Sequence, residues 1–137
     1  MLIPSRIPGL RLFSILVAIY AVVWISLEGA RQQVILLAVV FMLVIAGYLV
    51  QRILGGNRLS ARHWVLYSAG LGLFIGLGSA FLTLILMAVK TGLHGHGPEF
   101  TQAEIEWVIG QIPLWTLAGL IAGVGLGLLT TGFRLER

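Results

Sequence analysis

Four long stretches of this chain run without a charge: Leu12 to Leu27, Val34 to Val50, Trp64 to Val89 and Ile112 to Phe133. No Asp, Glu, Lys, Arg or His falls inside them, and every charge sits in the short segments between and beyond. Continuous apolarity predicts helices, because a membrane strand would alternate over about ten residues. A helix crosses a hydrocarbon layer of about 30 Å with about 20 residues, in a range of about 17 to 25. The runs hold 16, 17, 26 and 22 residues. The first two must therefore borrow flanking residues, and the third must tilt or protrude.

One further element is written locally. In Phe100-Thr101-Gln102-Ala103-Glu104-Ile105, Thr101 and Glu104 form a capping box, while Phe100 and Ile105 hold the positions of a hydrophobic staple. Ile105, Val108, Ile109 and Ile112 recur at helical spacing, and Pro113 follows. This predicts a short amphipathic interface helix over 102–111, with the fourth spanning helix starting at Pro113, the alternative being one kinked helix over 102–133. The expected architecture is an all-α, integral membrane four-transmembrane-helix bundle, a single domain over 1–137. Its spans are expected at about 11–28, 33–51, 64–89 and 113–133.

Small residues recur every four positions in the last two runs: Ser68, Gly72, Gly76 and Ala80 in one, Gly119, Gly123 and Gly127 in the other. Positions four apart share a helix face. Lacking bulk there, two backbones can approach closely, which matters in lipid because no hydrophobic drive brings helices together. These seven residues are the expected helix-packing surface, toward each other or toward another subunit. The first two runs are rich in Ile, Val, Leu and Phe with only Gly47 for close approach, which suits lipid contact.

Composition agrees. With 58% hydrophobic residues, 10% charged residues and a mean hydropathy of +1.01, the chain lacks the roughly one quarter of charged residues that covers a soluble domain. There is no cysteine, which excludes disulfides, thiolate metal sites and a cysteine nucleophile. The net charge of +4 comes from basic residues spread along the chain. They form no patch interleaved with stacking aromatics, so nucleic acid is not an expected partner.

The placement of charge predicts orientation instead. Arg6, Arg11, Arg52, Arg58, Arg62, Arg134 and Arg137 fall on one side, and Arg31 and Lys90 on the other. By the positive-inside bias, both termini are expected in the cytoplasm, in a bacterial inner (plasma) membrane. Four of the five acidic residues, Glu28, Glu99, Glu104 and Glu106, take the outer side. A cleaved leader is disfavoured because its only small-residue site, Glu28-Gly29-Ala30, offers a carboxylate where a small side chain is wanted. Trp24, Tyr48, Trp64, Tyr67, Trp107 and Trp115 sit near run ends, at headgroup level. His63 is expected there too, and Glu28 with Arg31 is expected to close a solvated turn.

Candidate chemistry is sparse. His94, His96 and Glu99 are the only clustered metal-ligand types. They fall one short of the four ligands of a closed zinc site, and the glycine-rich segment between them gives no means of holding a tetrahedron. No run supplies a His for haem, nor an intramembrane carboxylate or His for proton or quinone chemistry. No catalytic residue and no cofactor are expected, and the chain is not expected to be an enzyme. Arg52, Arg58 and Arg62 are candidate lipid-headgroup contacts. Membrane lipids and other membrane protein subunits are the expected partners. The expected role is a small non-catalytic accessory or structural subunit of a larger membrane complex, docking through the glycine-rich helices. The alternative is a small homo-oligomeric channel or transporter for a neutral or weakly hydrated solute, its pore lined by Ser79, Thr83, Thr116 and glycine backbone. A third reading is a lipid-contacting regulatory protein.

Overall fold

A computed structural model describes residues 2–27, 30–94, 97 and 99–135, the side chains of 94 and 133–135 excepted. It is all helical: α1 Leu10–Ser26, α2 Arg31–Ile53, α3 Ala61–His94 and α4 Gln102–Leu135. Three helices, α2, α3 and α4, are long and apolar enough to cross a membrane, with mean hydropathies of 2.7, 2.3 and 1.9. At 17 residues α1 is shorter than a typical span. The 34 residues of α3 and of α4 make helices about 50 Å long, so both extend well beyond a hydrocarbon layer.

The expected interface helix over 102–111 is not a separate element. Those residues open α4, which continues through Pro113 to Leu135. Proline there removes only the bond to the Ile109 carbonyl, whereas a break among apolar surroundings would strand several backbone groups at once. The start of α4 has the geometry that its sequence demands. Thr101 N–H donates to Glu104 Oε2 at 2.9 Å, and Glu104 N–H donates to Thr101 Oγ1 at 3.3 Å.

Each helix lies mainly against its neighbour in sequence: α1 on α2, α2 on α3, and α3 most extensively on α4. Among the described residues α1 and α4 share no comparable face. The four helices share one buried apolar cluster, in which Val17 and Trp24 of α1, Val34 and Leu37 of α2, Met87 of α3 and Val108 of α4 meet together with Phe100, so the arrangement is a helical bundle whose most extensive seam is α3 on α4.

The α3–α4 contact is made by backbone. A Cβ placed on Gly72 would collide with the Gly119 carbonyl oxygen and lie 2.8 Å from Gly123 Cα. One on Gly76 would collide with the Trp115 carbonyl, and one on Gly123 with the Ser68 carbonyl. One on Gly127 would lie 2.7 Å from Ser68 Oγ. The seam is fastened at one end by Trp64 Nε1–H donating to Thr130 Oγ1 at 2.7 Å. Trp64 is consequently buried instead of lying among headgroups. Between α2 and α3 the contact is of another kind, the Met42 thioether lying over Gly78.

The segment before α1 is structured as well. Ile3, Leu54 and Trp64 form a small buried cluster at the end where α2 turns into α3. Ile3 N–H donates to the Asn57 carbonyl at 3.1 Å, and Gly56 N–H donates back to the Ile3 carbonyl at 2.9 Å. Gly9, at φ 78°, then turns the chain into α1.

Gly123→Leu should lower stability by about 1–3 kcal/mol, because the side chain meets backbone that cannot give way. Gly125→Leu on the same helix, with nothing within 4 Å of its Cβ position, should leave it unchanged. Thermal unfolding of the two variants in mild detergent measures the difference.

Candidate functional site

The third uncharged run ends at Val89, and the residue just beyond has the least expected position in the molecule. Lys90 is 0% exposed. Because α3 continues to His94, Lys90 extends the buried face marked by Ser79, Thr83 and Met87, spaced three and four apart. Its ammonium reaches the end of α1, donating to the Leu27 carbonyl at 2.5 Å and to the Trp24 carbonyl at 3.4 Å. It also stands 4.4 Å from the centre of the Trp24 ring and 3.5 Å from Glu99 Oε2.

Three elements therefore converge on one cation. Helix α1 has no basic residue in its last turn, and its terminal carbonyls carry the negative end of the helix dipole. Lys90 supplies from α3 the positive cap that α1 lacks. Glu99 brings in the segment between α3 and α4, and the Trp24 ring face adds cation–π attraction. Trp24, expected at headgroup level, is 1% exposed. Its indole Nε1 has no hydrogen-bond partner among the described residues.

A second cation–aromatic group lies at the same end. Arg31, opening α2, sits 4.4 Å from the Trp107 ring centre, and Trp107 meets Trp115 edge to face at 6.3 Å. These contacts join α2 to α4. The expected partner of Arg31, Glu28, lies outside the described residues, as do Gly29 and the side chain of Arg134 together with Arg137.

The other sequence-marked residues fall as follows. Glu99 stands beside Lys90; His96 and the His94 side chain lie outside the described residues. No group of three metal-ligand residues is assembled among the described residues. Ser68, Gly72 and Gly76 meet Gly119, Gly123 and Gly127 across the α3–α4 seam, and Ala80 is buried further along α3. Ser79 and Thr83 are buried, with hydroxyls donating to the Ile75 carbonyl at 2.6 Å and the Ser79 carbonyl at 2.7 Å. Thr116 donates to the Ile112 carbonyl at 2.7 Å. Arg52, Arg58 and Arg62 are exposed at the opposite end from Lys90. His63 is exposed, its Nδ1 2.7 Å from Ser60 Oγ at the start of α3.

Three apolar crevices, of about 400, 530 and 340 Å³, lie between α1 and α2, between the ends of α3 and α4 near Phe100, and beside the glycine seam. None has a charged residue in its lining. Their chemistry fits acyl chains or a neighbouring helix and offers no acid, base or nucleophile. The chain matches no family model, no curated protein and no solved structure.

Lys90→Met keeps the length of the side chain and removes the cation, leaving the α1 carbonyls and Glu99 uncompensated. It should cost about 3–5 kcal/mol, as breaking a buried pair does. Glu99→Gln, which leaves the carbonyl contacts in place, should cost about 1–3 kcal/mol. Unfolding in detergent gives the totals. Tryptophan emission tests the locality of the effect, which should include a red shift in Lys90→Met as the Trp24 environment opens.

Proposed function

We infer that this protein is a small non-catalytic subunit of a larger membrane complex, with all four helices crossing the bilayer. Both termini would then face the cytoplasm of a bacterial inner membrane. The orientation rests on charge. Arg6, Arg11, Arg52, Arg58 and Arg62 share the end opposite Glu99, Glu104 and Glu106, as the positive-inside bias favours. A lone α1 of 17 residues completes a crossing with help from Leu27 and the segment before Leu10.

The single observation that carries the subunit reading is the outward face of α4. Only 11% of its most apolar window is buried, against 33% in α2 and in α3. The glycines of the α3–α4 seam are occupied within the chain, so docking through them is replaced by docking through the opposite face. That face carries exposed Leu114, Leu117, Ile121 and Leu128. Gly110, Gly125 and Gly132 have nothing within 4 Å of their Cβ positions. Large apolar side chains alternating with gaps suit a partner helix that brings its own backbone close.

The channel reading has less support. Ser79 and Thr83 are enclosed within one chain, with their hydroxyls committed to their own helix. A pore formed between copies would not be lined by them.

Gentle solubilisation should recover the protein at fixed stoichiometry with larger membrane subunits. Gly125→Leu should reduce that recovery at least tenfold while leaving the thermal stability of the isolated chain unchanged. Recovery as a discrete homo-oligomer that carries solute flux in liposomes would overturn the reading.

A further inference from the structure

The N-terminal segment runs antiparallel to the end of α2 and the turn after it, and the register can be read step by step. Leu2 bridges to Arg58. Ile3 exchanges hydrogen bonds with Asn57 and Gly56, as described above. Ser5 Cα lies 3.2 Å from the Cβ position of Gly55. Ile7 N–H donates to Gln51 Oε1 at 3.0 Å, and Leu10 lies on Gly47. Arg6 falls between the contacts at Gly55 and Gln51, and so opposite the last turn of α2. Arg11 follows directly on the Leu10–Gly47 contact.

The strap and the first turn of α1 thus add Arg6 and Arg11 to the three arginines at and around the α2–α3 turn. Arg6, Arg11, Arg52, Arg58 and Arg62 are all exposed, and none forms an ion pair among the described residues. The described carboxylates, Glu99, Glu104 and Glu106, stand at the other end. Backbone pairing holds the like charges together whatever their mutual repulsion, so an external anion is the way to offset it. Two observations choose the anion. The patch lies where the apolar helices end, at the depth of phosphodiester headgroups. Toward the same end, an apolar crevice of about 340 Å³ lies between α2, α3 and α4 and reaches Val50 and Trp64. That crevice takes an acyl chain and has no use for free phosphate.

We propose that the N-terminal strap and the α2–α3 turn together form a binding surface for anionic phospholipid, with Arg6 and Arg58 contributing from separate segments. The surface is independent of the subunit role and would operate in the isolated chain.

The test uses the full protein in phosphatidylcholine vesicles containing brominated phosphatidylglycerol or brominated phosphatidylcholine, with quenching of tryptophan emission as the readout. Anionic lipid should bind at least about fivefold more strongly than zwitterionic lipid, the worth of one arginine at such a surface. Arg6→Gln and Arg58→Gln should each erode that preference severalfold. Both side chains are exposed, and unchanged thermal unfolding in detergent would show that the strap is still docked. Inorganic phosphate should not compete beyond chloride at equal ionic strength. Equal quenching by the two lipids overturns the proposal, as does an Arg6→Gln variant that keeps the full preference. Specific displacement by phosphate would assign the patch to a free anion and overturn the lipid.

Discussion

The arrangement of this protein depends on one contact made almost without side chains, the approach of the α3 and α4 backbones across Gly72, Gly76, Gly119 and Gly123. Within lipid, burying a leucine against another helix gains little over leaving it among acyl chains, so helices must be joined by close dispersion contacts and weak hydrogen bonds. Both weaken steeply with distance. A single added Cβ would strike a carbonyl oxygen at each of these four positions. The seam therefore cannot tolerate ordinary residues, and the glycines cannot serve a second partner while they serve each other. The reverse face of α4 is one of the apolar faces left open to the outside.

The ends of the helices obey different rules. There, charge is tolerable if it is paired, and Lys90 shows how much one charge can organise. A lysine drawn out of water is costly unless its donors are satisfied. The end of a helix offers unpaired carbonyls that need donors equally. By reaching from α3 to the carbonyls of Trp24 and Leu27, Lys90 meets both demands and anchors the short α1, whose most extensive helix contact is with α2. At the other end the N-terminal strap does a comparable job with backbone pairing, fastening the entry to α1 onto the turn after α2.

Much of this was legible in the sequence, for reasons that can be named. Uninterrupted apolar runs mark helices because lipid forbids unsatisfied backbone, and Thr101 with Glu104 marks a helix start because the reciprocal bonds need that spacing. The small residues of the seam were legible because a period of four maps onto one face. Which faces would meet was not legible, since a stripe alone does not say what stands across from it. Pro113 reads as a boundary when its cost in water is carried into an apolar setting, where breaking the helix costs more. Lys90 falls in the outer loop only if the run ends with its last apolar residue. The signal lay in phase: Ser79, Thr83, Met87 and Lys90 follow one stripe, and a helix does not stop where its hydropathy does. The pairing of the N-terminal segment with the α2–α3 turn had no local signal at all, because it joins Ile7 to a residue 44 positions away.

The glycines of α4 show why residue type alone underdetermines role. Gly123 and Gly125 are two positions apart and identical in chemistry, yet a side chain on one would meet the Ser68 carbonyl and on the other would meet nothing. Two residues turn a helix through about 200°, so these positions look in nearly opposite directions. The inward glycine exists for a contact already made. An outward glycine in a helix interior costs conformational entropy and returns nothing to the isolated chain. Gly125 and Gly132 both carry that cost on a face otherwise built of exposed leucine and isoleucine. A lipid neighbour, being fluid, would be served equally well by alanine or leucine at those positions. A second backbone would not, and this difference weighs the outward face of α4 toward a protein partner.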